Sequence, residues 1–359
     1  MAIQSILQVK DGDTLGAVRD FLKTLLTERV VDSLLVPLEV PSPDQVSPIV
    51  VREPRQLDMA NPLAPVMRIN AAAVVARVHR EEGVSRLGAV LRPCELGAVI
   101  ELAKVERIDL EQLMLIGIDC MGTYEPEAYA QLARASAESP TDEMLKWTRQ
   151  GPIAPYRLRN ACQMCEHFTA ENADIGIGLI GLNVRERLLI QTDDPIAARL
   201  HLHEGDTNGR QKAVARLASI RQHRREQALT QAEQLLHDLP SVIGLLASCT
   251  ACGDCIDACP FCGTDAFKPH PTKEPTDRLR DWPSNKDRMI REHAMGPLSE
   301  VIEWGRRAAS CVSCGMCESA CSRHVPLTAI QGVIGRKVRE EFKYVPGRQT
   351  DERLPWAIA

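Results

Sequence analysis

The chain has 359 residues, enough for two or three domains that each bury a core, and its 44% hydrophobic and 25% charged residues exclude a disordered protein. A net charge of -5, with no basic block beyond Arg221-Gln222-His223-Arg224-Arg225, argues against a nucleic-acid partner; that run reads as the solvated face of a helix. The start shows no basic segment followed by an apolar core, and the longest apolar runs, Leu113 to Ile118 and Val242 to Ala247, fall well short of the ~20 residues that span a bilayer. A cytoplasmic chain without direct membrane insertion is expected. In such a chain, thirteen cysteines favour metal or redox chemistry over disulfides.

Leu15, Val18, Leu22, Leu25 and Leu26 recur at helical spacing and predict a helix over 14–28, with Asp13 or Thr14 as its N-cap. Val30 to Val40 reads as a strand interrupted by Pro37, Pro41 to Asp44 as a turn, and Ile49 to Arg52 as a further short strand. Asn61-Pro62-Leu63-Ala64-Pro65 is expected to be extended, because each proline moves its predecessor out of the helical region.

From Asn70 helices and strands alternate. An alanine- and valine-rich helix over 71–82 closes at Gly83, and Leu87 to Leu91 is a strand with Arg92-Pro93-Cys94-Glu95 as its exit loop. Leu96 to Val105 is a helix, and Leu113 to Ile118 is a strand that ends at Asp119-Cys120. This is one βαβ unit, whose strands are parallel, so Cys94 and Cys120 both leave at carboxyl ends, the rim where open α/β sheets hold ligands. Cys162-Gln163-Met164-Cys165 is proposed to bring a second thiol pair to that rim. Taken singly, Cys94 and Cys120 read as buried apolar thiols, and the pair Cys162 and Cys165 as a redox couple or half a zinc site. Together the four make one complete coordination set for a [4Fe-4S] cluster.

Ala173 to Gly181 carries glycines at 176, 178 and 181, but the residues alternate like a strand and lead to another strand at Leu188 to Gln191, which is the wrong context for a dinucleotide site. His167 reads as a surface or hydrogen-bonding residue rather than a ligand. A long helix is expected from Gln211 to Leu239, with Val214, Leu217, Ile220, Leu229, Ala232, Leu235 and Leu236 as its apolar stripe and Pro240 as a domain boundary.

Cys249, Cys252, Cys255 and Cys259 then stand in C-x2-C-x2-C-x3-C-P order, and Cys311, Cys314, Cys317 and Cys321 repeat the spacing with Ser322 where proline is usual. Two such runs predict two [4Fe-4S] clusters. Zinc sites pair C-x2-C steps and have no use for a third and fourth thiol in each run. Cys262 reads either as a buried free thiol or as a replacement ligand for Cys259. Lys268 to Arg280 is expected to be a surface loop, and Lys286 to Arg307 to supply helix between the runs.

The pieces Arg92-Pro93-Cys94-Glu95, Ile116-Gly117-Ile118-Asp119-Cys120, Cys162-x-x-Cys165 and Ala173-Asp174-Ile175 with Gly176, Gly178 and Gly181 resemble the beta subunits of coenzyme F420-reducing hydrogenases and formate dehydrogenases. The resemblance covers residues 60–200. It implies an α/β core with one [4Fe-4S] cluster beside FAD, with Cys94, Cys120, Cys162 and Cys165 as cluster ligands. The chain departs from that family after Gly181, where Leu182-Asn183-Val184-Arg185-Glu186-Arg187 follows without tryptophan, so the flavin site stays open. The tail over 245–335 resembles heterodisulfide reductase iron-sulfur subunits and the helical two-cluster half of succinate dehydrogenase iron-sulfur subunits. The usual exchange of fourth ligands would give one cluster to Cys249, Cys252, Cys255 and Cys321, and the other to Cys311, Cys314, Cys317 and Cys259.

The expected fold is an α/β N-terminal domain with a partly parallel sheet, followed by an all-α two-cluster ferredoxin domain. Residues 1–60 extend the α/β domain, 61–240 form its core, 241–340 hold the ferredoxin motifs, and 341–359 form an arm suited to lying on a partner. Three [4Fe-4S] clusters and no acid-base or nucleophilic team imply an electron-transfer subunit of a cytoplasmic oxidoreductase. It would join a catalytic formate dehydrogenase or hydrogenase subunit to heterodisulfide-reductase-like subunits. The alternative is a FAD-containing subunit that itself exchanges hydride with coenzyme F420 or a nicotinamide. A third reading makes the clusters structural staples.

Overall fold

A computed structural model of the chain describes residues 3–80, 86–106, 108–149, 157–200, 202, 205, 209–250, 252–262, 264 and 305–355. The first elements are β1 (Ile3–Gln8), α1 (Thr14–Thr27), β2 (Ser33–Glu39), β3 (Val46–Val51), α2 (Ala71–Arg80), β4 (Leu87–Leu91), α3 (Pro93–Glu106) and β5 (Leu113–Ile118). They are followed by α4 (Pro126–Ala135), α5 (Pro140–Leu145), α6 (Asn160–Gln163), β6 (Ile175–Gly178), β7 (Arg187–Thr192) and α7 (Asp194–Arg199). The remainder is helical among the described residues: α8 (Arg210–Leu235), α9 (Leu239–Ala247), α10 (Asp254–Asp257), α11 (Met316–Ser319) and α12 (Leu327–Phe342). The expected loop at Lys268 to Arg280 and most of the expected helix at Lys286 to Arg307 lie outside the described residues.

The strands form one sheet in the order β1-β7-β6-β5-β4-β2-β3. Its centre, β6-β5-β4-β2, is parallel, while β7, β1 and β3 pair antiparallel at the edges. The centre must bury both faces, which is why β4 and β6 are short apolar runs without polar alternation. Successive side chains still divide between two cores. Leu34, Val90, Ile116 and Ile118 meet Val18, Leu22 and Leu25 of α1 on one face. Leu35, Ala89, Leu91 and Leu115 meet Val75 of α2 and Val99 and Leu102 of α3 on the other. Asp13 caps α1 by accepting from the Gly16 N–H at 2.7 Å.

Several expectations need correction. Pro37 does not interrupt β2: it stands opposite Pro48 of the edge strand β3, and β4 pairs with β2 only through Leu35, so neither proline removes a bond that a neighbouring strand needs. Pro62 and Leu63 form a turn, closed by the Ala64 N–H on the Asn61 carbonyl at 3.2 Å, rather than an extended segment. Cys94 lies in the first turn of α3, not in a loop, because Pro93 with its fixed φ starts that helix. The long helix ends at Leu235, before Pro240, which instead lies in the first turn of α9.

The stripe expected on α8 also differs. Ile220 and Leu235 are 44% and 39% exposed, while Arg221 and Arg225 are buried with Leu217, Leu229 and Ala232. Leu217 joins the α/β core beside Phe168 and Ile180, and Leu229 and Ala232 pack with Met164 and with Ala329 and Val333 of α12. One helix thereby fastens the two halves. The C-terminal arm, expected to be suited to lying on a partner, is anchored on this chain's own α3 by Tyr344 and Gly347. Tyr344 donates to both carboxylate oxygens of Glu101 at 2.6 and 2.7 Å, and the Gly347 N–H donates to the same carboxylate at 2.8 Å.

Candidate metal centres

The rim formed by the carboxyl ends of β4 and β5 gathers four thiols. Cys94 enters on the first turn of α3 and Cys120 two residues beyond β5. The loop carrying Cys162 and Cys165 is drawn in by the Cys120 N–H on the Phe168 carbonyl at 2.9 Å, and by the Arg159 N–H on the Thr123 carbonyl at 2.9 Å. Thr123 answers from the other side, with its N–H and hydroxyl each 3.3 Å from the Cys162 Sγ. Asp119, buried beneath Cys120, accepts from the N–H groups of Ala170, Leu179 and Ile180 at 3.0, 2.8 and 3.0 Å. That carboxylate ties the ends of β5 and β6 to the cysteine loop.

These thiols sense one another. Burial raises Cys94, and so do Glu95, Cys314, Cys120 and Cys165 in that order, although the residue keeps part of its surface open. Burial also raises Cys120 against the pull of Arg92, with Cys162 adding to the rise. Cys165 is pushed up to about 12 by burial, opposed by Arg221 and reinforced by Cys162 and Cys120. Cys162 goes the other way: burial would raise it, but the Arg159 charge, the two Thr123 bonds and Arg221 together hold it below the ordinary thiol value.

The two ferredoxin motifs fold alike. In each, the glycine after the second cysteine turns left-handed, Gly253 at φ 86° and Gly315 at φ 72°, and opens a single-turn helix, α10 or α11. The motifs then cross. Burial raises Cys255, followed by Cys249, Cys252 and Cys321, whereas Cys317 is raised by burial and then by Cys311, Cys314, Cys259 and Cys255. Cys311 is pushed up to about 12 by burial, with Cys314 and Cys259 adding to the rise. The fourth thiol of each run therefore faces the other run. Cys262 lies beside Cys259, whose thiol is raised first by their mutual hydrogen bond.

Neighbouring thiols also influence one another between the loops. Cys94 feels Cys314 across the domain junction, and Cys317 feels Cys255 across the motif crossing. Buried arginines line the first junction. Arg92 donates to the carbonyls of Ala64 and Val66 at 2.8 Å each, Arg221 donates to the Met121 carbonyl at 2.7 Å and stacks over the Phe168 ring, and Arg159 reaches both sides. Among the described residues no three Cys, His, Asp or Glu side chains converge as ligands of a single metal ion would. Soft, partly exposed thiols with buried arginines at the first junction fit the ligands of an anionic iron-sulfur cluster.

Sequence pattern gives no reason to place Arg159, Arg221 or Thr123 at a metal centre, since charged residues on a helix or loop default to solvent. The one signal is the i, i+4 repeat of Arg221 and Arg225. His167 accepts at its carbonyl from the Cys165 thiol at 3.0 Å. Beside Cys120 a small cleft is lined by Pro62, Leu63, Arg92, Met121, Met144 and Leu179 among others. Among the described residues no helix is long and apolar enough to cross a membrane.

Residues 84–197 match the family described as the C terminus of the coenzyme F420 hydrogenase/dehydrogenase beta subunit, and residues 245–325 match the 4Fe-4S dicluster domain. The chain is 24% identical to the F420-dependent formate dehydrogenase subunit beta of Methanocaldococcus jannaschii, over 95% of this chain and 93% of that one. It is 24% identical to the F420-dependent formate dehydrogenase 1 subunit beta of Methanococcus maripaludis over 48% and 49% of the respective chains. A chain of the F420-reducing [NiFe] hydrogenase complex from Methanosarcina barkeri aligns with a TM-score of 0.43 and 13% identity over 64% of this chain and 92% of that one. The chain thus combines a segment similar to the coenzyme F420 hydrogenase/dehydrogenase beta subunit with a segment similar to the 4Fe-4S dicluster domain.

Proposed function

We propose that this chain is the electron-transfer subunit of an F420-dependent formate dehydrogenase or hydrogenase assembly, carrying three [4Fe-4S] clusters in series. Cys94, Cys120, Cys162 and Cys165 would hold the first, Cys311, Cys314, Cys317 and Cys259 the second, and Cys249, Cys252, Cys255 and Cys321 the third. The observation that carries this reading is the adjacency of the thiol sets: Arg159 bonds both the Cys162 Sγ and the Cys314 carbonyl, and thiols of the two ferredoxin runs influence one another. Such clusters pass single electrons. The exposure of Cys249 and Cys252 suits the third position to exchange with a partner, the heterodisulfide-reductase-like module that the tail's resemblance suggests.

Relatives named as F420-dependent favour a second reading in which the chain binds FAD and exchanges hydride with coenzyme F420 or a nicotinamide. Titration of the anaerobically purified chain with dithionite separates the readings. Uptake of about three electrons without a flavin spectrum supports the relay, and a flavin spectrum with about two electrons more supports the second. Clusters that stay silent toward dithionite overturn both and leave them as structural staples.

A further inference from the structure

Arg159 sits where the two halves of the chain meet, 4% exposed, and every one of its five N–H donors is engaged. Its Nε donates to the Thr123 Oγ1 at 2.8 Å. Nη1 donates to the Met316 Sδ at 3.4 Å and the Ser319 Oγ at 3.2 Å. Nη2 divides between the Cys162 Sγ at 3.8 Å and the Cys314 carbonyl at 3.0 Å. None of these acceptors is a carboxylate. A buried cation needs a counter-charge. Here the neighbouring groups that become anionic as cluster ligands are the sulfurs of two different sets, Cys162 and Cys94 on one side and Cys314 on the other.

We propose that Arg159 is a positioning residue shared by two adjacent electron carriers: one fixed positive charge favours the reduced form of both, and its hydrogen bonds hold them at one separation. The proposal rests on the ligand sets given above. When an electron arrives at either thiol set, the local charge becomes more negative by one, and the same guanidinium stabilises it in both places. Moving the electron from one set to the other therefore leaves its interaction with Arg159 nearly unchanged, which keeps the step close to level. The third set, built on Cys249, Cys252, Cys255 and Cys321, has no bond to this side chain among those described and should not respond.

The test compares wild-type full-length protein with Arg159→Gln and Arg159→Lys, purified anaerobically, by redox titration with EPR detection of each cluster and by iron content. In Arg159→Gln, the reduced-to-oxidised ratio of the first two clusters at fixed potential should fall about tenfold, equivalent to about 59 mV for a one-electron couple. The third should hold, and Arg159→Lys, which keeps the charge but not the planar fork, should recover most of the change. Unchanged potentials in Arg159→Gln with iron retained would overturn the proposal. If Arg159→Gln loses iron, Arg159→Lys decides: wild-type ratios support the shared charge, and ratios shifted tenfold overturn it. Wild-type protein with only two clusters would instead overturn the ligand sets, independently of Arg159.

Discussion

The Asp119 carboxylate and the Arg210 guanidinium meet in a buried two-point pair, 2.6 Å from Nη1 to Oδ2 and 3.1 Å from Nη2 to Oδ1. Arg210 is the first residue of α8, and Asp119 precedes Cys120, so the pair fixes the long helix against the thiol rim. Replacing Arg210 with Met leaves a buried carboxylate without its cation and should destabilise the fold by about 3 kcal/mol, the low end for such a loss because three backbone N–H groups still serve Asp119. Urea denaturation of the apo-protein measures it.

The C-terminal arm gives a pH-dependent signature. Burial, then the charge and hydrogen bond of Glu101, hold the Tyr344 phenol well above its ordinary value. The folded chain therefore keeps that proton after the unfolded chain would lose it. The associated stability is complete below about pH 10 and declines as pH rises beyond it. Tyr344→Phe should flatten part of this decline and cost about 1.5 kcal/mol at neutral pH, the value of a hydrogen bond to a charged group. Tyr129, raised mainly by burial, sustains the remainder.

The crossing of the ferredoxin motifs separates neighbours in sequence from neighbours in space. Cys259→Ala should disturb the cluster of Cys311, Cys314 and Cys317 and spare that of Cys249, Cys252 and Cys255, even though Cys259 belongs to the latter's motif. EPR of the reduced protein distinguishes the two. Rescue by the adjacent Cys262 would appear as full iron content in Cys259→Ala and its loss in the double variant. Cys162→Ala should remove about four irons and leave both ferredoxin signals.

Gly315 tests the junction between the halves. It is left-handed at φ 72°, and a Cβ there would overlap the Cβ of Ala161 on α6. Gly315→Ala should cost about 1–2 kcal/mol for backbone conformation alone and push α11 away from the Cys162 loop. Thermal unfolding reads the first effect. The second should weaken the magnetic interaction between the first and second clusters in reduced protein.

Much of this was legible in the sequence. Leu87 to Leu91 and Leu113 to Ile118 read as the strands of one βαβ unit, and their parallel pairing placed Cys94 and Cys120 on one rim. The cysteine spacing of the tail marked both ferredoxin motifs. What the sequence hid were residues whose environment reverses their usual preference. Arg221 and Arg225 displaced Ile220 and Leu235 from the buried face of α8, because the face they occupy meets thiols, the Glu166 carboxylate and carbonyl groups rather than an apolar core. Arg159 was invisible for the same reason. The anchor of the C-terminal arm was hidden because Glu101 is a buried carboxylate in the middle of a helix, where charge patterning gives no sign of a partner more than two hundred residues away.

The most direct test of the three-cluster relay is the iron and acid-labile sulfide content of the anaerobically purified chain. The relay requires about twelve of each per chain, four for the strand-end thiols and eight for the ferredoxin motifs. About eight of each would mean that Cys94, Cys120, Cys162 and Cys165 hold no cluster, and would contradict it.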